Sequence, residues 1–309
     1  MLKTRFFSIC IFLCVILSIN SINASDYFSY ALRLFSEKQY YSASLEFERA
    51  VYHETDNIRT AYYKYYKSLC FKNLDQNKKA IEELNNINLY RLPDSLLYKI
   101  QYELAYCNFL NNEPNKSIWN IEELRIRFPD SLTTKEIIPL NILCLNAVGK
   151  FEEARNLWNY YLENNDLQDS LKGLFYNEIK SLYHNKNLPG IYSPETAQNL
   201  SRFIPGSGQI YCGEILEGSF NFFMNAAILS FSIYEFYTGY YLTGYFVGLG
   251  LLNKTYNGGL HRAKLLAVEK NKEEIRKFNE EASLLMLRIG KDHGQYSMGH
   301  KKQNQSSML

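Results

Sequence analysis

The sequence predicts an all-α protein in which a helical solenoid is followed by a short hydrophobic helical hairpin and an amphipathic helix. Three observations support this fold class. They are a 37-residue period over residues 27–165, a glycine-rich turn at 205–213 that opens an apolar stretch, and a charged segment after residue 259. The formal net charge of +2 over 309 residues gives no global field that would attract nucleic acid, so none is expected as a partner.

Residues 1–24 are predicted to form an export signal that is cleaved. Lys3 and Arg5 precede an apolar run at residues 6–17, and Ala24 suits the small position before a cleavage site. The run is short for a membrane span, which needs about 20 residues, although an uncleaved anchor stays open. The rest of the chain is expected to be exported and membrane-associated, with the repeats in the periplasm.

A repeat domain is predicted over residues 25–187, as about four 37-residue units and a capping helix. Each unit has a small residue, a large apolar residue four positions later and a third position three further on. This spacing marks one apolar face of a helix, which neighbouring units would bury. The residues predicted to form the repeat core are Ala43, Phe47, Ala50, Ala80, Leu84, Ile121, Ala154 and Trp158.

The pattern resembles the tetratricopeptide repeat, above all in ALRLFSEKQYYSASLEFERAV and VGKFEEARNLWNYYLEN. Ile87 and Leu124 replace a small residue in the two middle units, and the period exceeds the usual one of about 34 residues. The resemblance implies stacked helical hairpins with a concave surface that holds a protein segment. Tyrosines and lysines such as those of AYYKYYK suit a partner with acidic and apolar features, but packing in the core and between repeats is the favoured explanation of the tyrosines.

Three cysteines, Cys70, Cys107 and Cys144, also recur every 37 residues. Equivalent positions in stacked helices lie roughly 8–10 Å apart. Disulfides need Cα atoms within about 7 Å, so small buried side chains are expected here instead.

Residues 188–204 are predicted to be a linker and a short amphipathic helix, and residues 205–258 a glycine turn and a hydrophobic membrane hairpin. The expected membrane-entry turn, with a flexible backbone and hydrogen bonds at the interface, consists of Pro205, Gly206, Gly208, Gln209, Tyr211 and Gly213.

Two apolar runs of about 14–16 residues flank Glu235, and Gly244 and Gly248 allow close helix contact. Two short spans are expected. Because basic residues flank the hairpin, two other arrangements stay open, a hairpin that lies in the interface and a hairpin that packs on protein.

The stretch PGSGQIYCG resembles a motif, P-G-x-G-Q-x-Y-x-G, that precedes a short hydrophobic hairpin in many bacterial membrane proteins. YNGGLHRA resembles the closing element found in tetratricopeptide-repeat exported proteins of Bacteroidetes type. This resemblance covers about residues 193–270 and implies an architecture and a membrane context, but no activity. Residues 259–289 are predicted to form an amphipathic helix and residues 290–309 a disordered tail.

The expected function is that of an exported, membrane-associated scaffold, which binds a protein partner through its repeats and lipid through its hairpin. The alternative is a membrane-active protein whose hairpin assists insertion or assembly of membrane proteins. The sequence contains no phosphate-binding loop, HExxH or GxSxG motif, and its five histidines are scattered. The protein is therefore predicted not to be an enzyme, and no catalytic, cofactor-binding or metal-binding residue is proposed.

Overall fold

The computed structural model of the chain describes residues 23–129, 137–164 and 167–306, with side chains up to residue 290. The regular secondary structure of these ranges is helical, and no strand occurs in them. The predicted all-α class is confirmed. The predicted signal, residues 1–24, lies outside the described residues except for its last two.

Thirteen α-helices and one π-helix make up the described part of the chain. They are α1 Ala24–Ser36, α2 Tyr40–His53, α3 Asn57–Asn73, α4 Asn77–Asn85, α5 Asp94–Leu110, α6 Pro114–Arg127, α7 Ile137–Ala147, α8 Phe151–Glu163, α9 Asp169–Leu182, α10 Pro194–Phe203, α11 Ser207–Tyr211, α12 Ile215–Tyr237, the π-helix Thr243–Leu249 and α13 Gly250–Ser306.

Four connections between helices share one backbone conformation at a spacing of 37 residues. Lys38, Asp75, Asn112 and Gly149 have φ angles of 62°, 57°, 59° and 77°. The next residue in each connection donates a backbone hydrogen bond of 2.9 Å to the carbonyl five residues earlier. Glycine, asparagine and aspartate tolerate this left-handed region better than other residues do. The period of the sequence is therefore also a period of the backbone turns.

The first compact unit, residues 1–144, contains α1–α6 and most of α7. Each helix from α1 to α6 packs against the next one. Fully buried small residues stand where paired helices meet, such as Ala31 with Ala43 and Ala105 with Ser117. The Ser117 hydroxyl donates to the Ala105 carbonyl over 2.7 Å. Small residues at these points let the helix backbones approach closely.

The second compact unit, residues 145–309, contains α8–α13 and the π-helix. The ring of Phe278 on α13 packs edge-on against Phe151 and Tyr183, with centroid distances of 5.5 and 5.2 Å. The long helix α13 thus packs on the region of α8 and α9. The predicted domain boundary after residue 187 does not coincide with this division, because a packing partner about 100 residues later leaves no local signal in the sequence.

Helix α13 is also longer than predicted. It runs without a break from Gly250 to Ser306, across the predicted boundaries at residues 259 and 290. The predicted disordered tail is therefore helical over residues 290–306. That segment contains no proline, so no residue in it forces the helix to end.

Among the described residues, no helix combines the length and the apolar character needed to cross a membrane. The predicted pair of spans is therefore not found in this part of the chain. Helix α12 has 23 residues, but Asn221, Asn225 and several serines interrupt its apolar run. The second apolar run is divided between the π-helix and the start of the charged helix α13.

Candidate functional site

The glycine turn at residues 205–213 is a tightly packed corner. Gly206 has a φ of 91° and forms the N-cap of α11. A Cβ atom on Gly206 would lie 2.0 Å from the carbonyl oxygen of Gly218, at the start of α12. Glycine is therefore required at position 206 both for the backbone angle and for the close approach of two backbones.

Gly208 and Gln209 connect this corner to the neighbouring helices. A Cβ atom on Gly208 would lie 2.0 Å from the carbonyl oxygen of Ala197 on α10. The Gly208 N–H donates to the Ser201 hydroxyl over 2.9 Å, and that hydroxyl donates to Gln209 Oε1 over 3.1 Å. Gln209 Nε2 then donates to the carbonyl of Gly259 on α13 over 3.2 Å.

The predicted role of Gln209 at a membrane interface is wrong, because its side chain is buried within these helices. The prediction that Gly208 provides backbone freedom is also wrong. Gly208 lies inside a helix, and the absence of a side chain allows its close contact with α10. Tyr211 is partly exposed, and its hydroxyl accepts a hydrogen bond of 3.3 Å from the Ser193 N–H. Gly213, at a φ of 87°, ends this turn, and Pro205 begins it.

The apolar segment, residues 215–258, buries polar side chains on its inner side. Asn225 Nδ2 donates to Asn221 Oδ1 over 2.6 Å, and the Thr255 hydroxyl donates to Asn225 Oδ1 over 2.9 Å. Ser232 is buried against Gly248, where a Cβ atom would lie 2.2 Å from the serine hydroxyl oxygen. Asparagine, serine and threonine therefore form the contact between α12, the π-helix and the start of α13.

The outer side of the same segment carries large apolar and aromatic side chains in solvent-facing positions. We call this surface the outer apolar face. Its members are Ile215, Leu216, Phe220, Phe222, Phe223, Leu229, Phe231, Ile233, Tyr234, Tyr237, Tyr240, Tyr241, Leu242, Tyr245, Phe246, Val247, Leu249 and Leu251. Exposed apolar patches on this scale mark interaction surfaces, while single exposed residues do not.

The site residues predicted in the second half of the apolar segment lie at the contact between α12 and the π-helix. Gly244 and Gly248 are both buried in the π-helix, and Gly244 faces Glu235 and Phe236 at about 3.2–3.3 Å from a Cβ position. Glu235 itself is partly exposed near the end of α12. The GxxxG spacing is thus used for close contact with α12.

Ion pairs join the base of α12 to α13. The Arg262 guanidinium donates to both carboxylate oxygens of Glu217, over 3.0 and 3.1 Å, and also pairs with Glu269. The hydrogen bond from Lys270 holds the pKa of the Glu214 carboxyl below its usual range. One of the basic residues that flank the hairpin, Arg262, is therefore already neutralised by its neighbours.

The structure places the eight residues of the predicted repeat core in the interior, and each is at most 2% exposed. Tyr62, Tyr65 and Tyr66 are half-buried and pack against core clusters. The cysteines of the described residues, Cys70, Cys107, Cys144 and Cys212, are buried and form no disulfide. Burial raises the pKa of the first three thiols to about 12, which leaves them inert.

The buried asparagines of α12 were missed by the sequence reasoning. A signal for them does exist, since Gly218, Asn221, Asn225 and Ser232 stand at positions i, i+3, i+7 and i+14 of one helix. This spacing places all four on one face.

Comparisons of the chain with protein-family models, with curated proteins and with solved structures find no match.

Proposed function

We propose that this protein is an exported, membrane-associated scaffold. The apolar segment forms a hairpin that is seated in one lipid leaflet, and the helical repeats bind a protein partner. The observation that carries the first part is the inverted polarity of residues 215–258, with asparagine and serine inside and aromatic residues outside. Proteins in water bury apolar side chains, whereas helices in lipid turn polar groups toward each other.

The hydrogen bonds of the inner side support immersion in lipid. An unsatisfied polar group in hydrocarbon costs several kcal/mol, so polar side chains must find partners within the protein. Asn221, Asn225 and Thr255 form one connected chain of hydrogen bonds. The contact of Gly248 with Ser232 adds the close backbone packing that holds helices together in lipid.

Both ends of the hairpin suit the headgroup level. Exposed tyrosines surround the turn after α12, namely Tyr234, Tyr237, Tyr240 and Tyr241. The opposite end carries the exposed basic residues Arg202, Lys254 and Lys264. Tyrosine prefers the membrane–water interface and basic residues attract anionic headgroups. An orientation in the plane of one leaflet, as in interfacial helices, places both ends at that level.

The 37-residue recurrence supports a tetratricopeptide-like solenoid for the repeat domain. Its turns adopt one conformation at Lys38, Asp75, Asn112 and Gly149, and its small and large core positions are buried in register. A stack of this kind exposes extended surfaces on which partner segments bind. Export to the periplasm rests on the predicted signal at residues 1–24.

Flotation with lipid vesicles tests the membrane role. We expect the full chain to float with vesicles of mixed neutral and anionic phospholipid. A triple variant, Phe223→Glu, Ile233→Glu and Phe246→Glu, should lower the bound-to-free ratio at least about tenfold, because three charges would have to enter apolar surroundings.

The matched control places the same three charges on exposed side chains of the first unit, as Tyr52→Glu, Tyr90→Glu and Ile126→Glu. Binding of this control should equal that of the wild type. Equal losses in both triple variants would show that net charge, and not the outer apolar face, governs the association.

One observation favours the second candidate function, assistance in the insertion or assembly of membrane proteins. An apolar groove of about 540 Å³ opens on the hairpin, lined by Phe222, Ala226, Leu229, Leu252 and Tyr256 among others. Ala226→Trp would occupy part of it. If this variant still floats but no longer crosslinks to apolar segments of newly made membrane proteins, the groove serves that function; unchanged crosslinking favours the scaffold.

A further inference from the structure

A second groove lies in the first unit, between α4 and α6 and above α5. We call it the α4–α6 groove. Its floor consists of aliphatic side chains, including Leu84, Ile87 and Ile100, which are nearly inaccessible to solvent. Trp119 on α6 forms one wall and is 65% exposed. The cavity volume is about 370 Å³, at the small end of the range of roughly 300–1,000 Å³ for ligand pockets.

The groove contains a hydrogen-bond acceptor that the fold leaves unused. Gln101 on α5 lines the groove and is 6% exposed. Its Nε2 lies 3.5 Å from Glu123 Oε1, but none of the described residues donates a hydrogen bond to its Oε1. A buried acceptor without a partner is unfavourable, and the great majority of such atoms in folded proteins are paired. Oε1 has almost no accessible surface of its own, so a donor that enters the groove would satisfy it after a rotation of the Gln101 side chain.

The two features together restrict the chemistry of the occupant. The aliphatic floor accepts an apolar group, and sugar hydroxyls set against this floor would remain unpaired. Asn85, Asn108 and Asn120 also line the groove and add polar groups around the floor. A lipid chain would fill the floor but offers no donor to Gln101. The rim carries one residue of each sign, Lys116 and Glu123, so the groove favours no strongly charged ligand.

We infer that the α4–α6 groove binds a protein segment that inserts one large aliphatic side chain, with the following backbone N–H donating to Gln101 Oε1. The donating backbone N–H must be free of helical hydrogen bonds, so the segment is extended. This inference rests on the proposed protein-binding role of the repeats and adds the site and the chemistry of the partner. It also differs from the acidic and apolar partner expected for the tyrosine- and lysine-bearing helices.

Trp119 gives a direct readout, because the chain has only one other tryptophan, Trp158, and that side chain is fully buried. The full chain is labelled with 5-fluorotryptophan and kept in a mild non-ionic detergent. It is titrated with N-acetyl-Ala-Leu-Ala-amide while the two fluorine signals are followed. We expect a saturable shift of the Trp119 signal, which Trp119→Ala assigns, and no shift of the Trp158 signal.

The donor is tested with an ester analogue of the same probe, in which oxygen replaces the N–H after leucine. Binding of the ester should be weaker by about two- to tenfold, the usual worth of one hydrogen bond. In Gln101→Leu, which replaces the amide with an apolar side chain of similar size, the amide and ester probes should bind equally.

Three results would overturn the inference: no saturable shift at Trp119, equal binding of amide and ester to the wild type, or tighter binding of maltose or octanoate than of the peptide. Vesicle flotation of Gln101→Leu and Trp119→Ala separates the inferred binding in the α4–α6 groove from the proposed membrane role. Both variants should float like the wild type, since neither residue belongs to the outer apolar face.

Discussion

Trp158→Ala is expected to lower the free energy of unfolding of the second unit by about 3–5 kcal/mol. Trp158 is fully buried on α8, and its ring packs edge-on against Tyr161 at 6.1 Å. Alanine would leave a cavity the size of the indole, and close-packed helices collapse into such a space only in part. The loss should spread beyond α8, because stacked helices share their interfaces.

Trp158 also takes part in a buried hydrogen-bond network. Its Nε1–H donates to the Tyr183 hydroxyl over 3.0 Å, and that hydroxyl donates to Asn146 Oδ1 over 2.9 Å. Burial raises the pKa of Tyr183 to about 12, so the hydroxyl keeps its proton and remains a donor. Asn146 Nδ2 continues the network to Asn279 on α13 over 2.9 Å. Through this network Trp158 connects α8 with helices that are far from it in sequence.

The measurement is urea-induced unfolding of the full chain, combined with hydrogen exchange. Protection should fall in residues 145–164 and also in residues 271–289 of α13. Trp158→Phe keeps much of the ring volume but removes the donor to Tyr183, and it should cost less stability than Trp158→Ala.

Arg155→Ala is the control on the same helix. Arg155 pairs with Glu152 over 3.0 Å at the surface, and exposed pairs of this kind contribute about 0–1 kcal/mol. Equal destabilisation by Arg155→Ala and Trp158→Ala would show that the 37-residue register does not define the buried face of α8.

The repeat register could be read from the sequence because it depends on local spacing. Phe47, Leu84, Ile121 and Trp158 are 37 residues apart and all are buried. Hydrophobic periodicity reports which face of a helix is covered, whatever covers it. The identity of the covering element cannot be read from local spacing. Phe278 packs on Tyr183 from about 100 residues away, and no pattern near either residue indicates this contact.

The glycine turn shows the same difference between features that depend on local sequence and features that depend on a distant partner. The sequence indicated a turn at Gly206 because proline and glycine end helices, and that inference depends on backbone geometry alone. It placed Gln209 at an interface because a polar side chain before an apolar run suits one. The side chain is instead buried between Ser201 and Gly259, and Gly259 belongs to a helix 50 residues later. Polar residues in apolar runs are ambiguous until the partner helix is known.

Gly206→Ala is expected to have the other large effect, a loss of about 4 kcal/mol in the stability of the corner formed by α10, α11 and α12. Two terms contribute. A non-glycine residue at a φ of 91° is strained, by about 1–3 kcal/mol. The added Cβ would also lie 2.0 Å from the oxygen and 2.8 Å from the carbon of the Gly218 carbonyl. Both are backbone atoms, so no rotation of a side chain can relieve the overlap, and α12 must move away from α11.

Two other glycines of the same region separate these terms. Gly213 has a φ of 87° but no described atom within 4 Å of an added Cβ, so Gly213→Ala should show the strain alone, about 1–2 kcal/mol. Gly250 lies in helix α13 with open space around it, and Gly250→Ala should be neutral or stabilising by up to about 1 kcal/mol.

The stability of the three glycine variants is measured by urea-induced unfolding and by hydrogen exchange at residues 207–218. The N–H of Ile210, which donates to the Gly206 carbonyl over 3.2 Å, should lose protection in Gly206→Ala before the amides of α1–α6 do. Vesicle flotation should fall as well, because in a displaced α12 Asn225 no longer pairs with Thr255 of α13. If Gly206→Ala and Gly213→Ala lose the same stability, the close approach of the two backbones contributes nothing, and Gly206 is required for its φ angle alone.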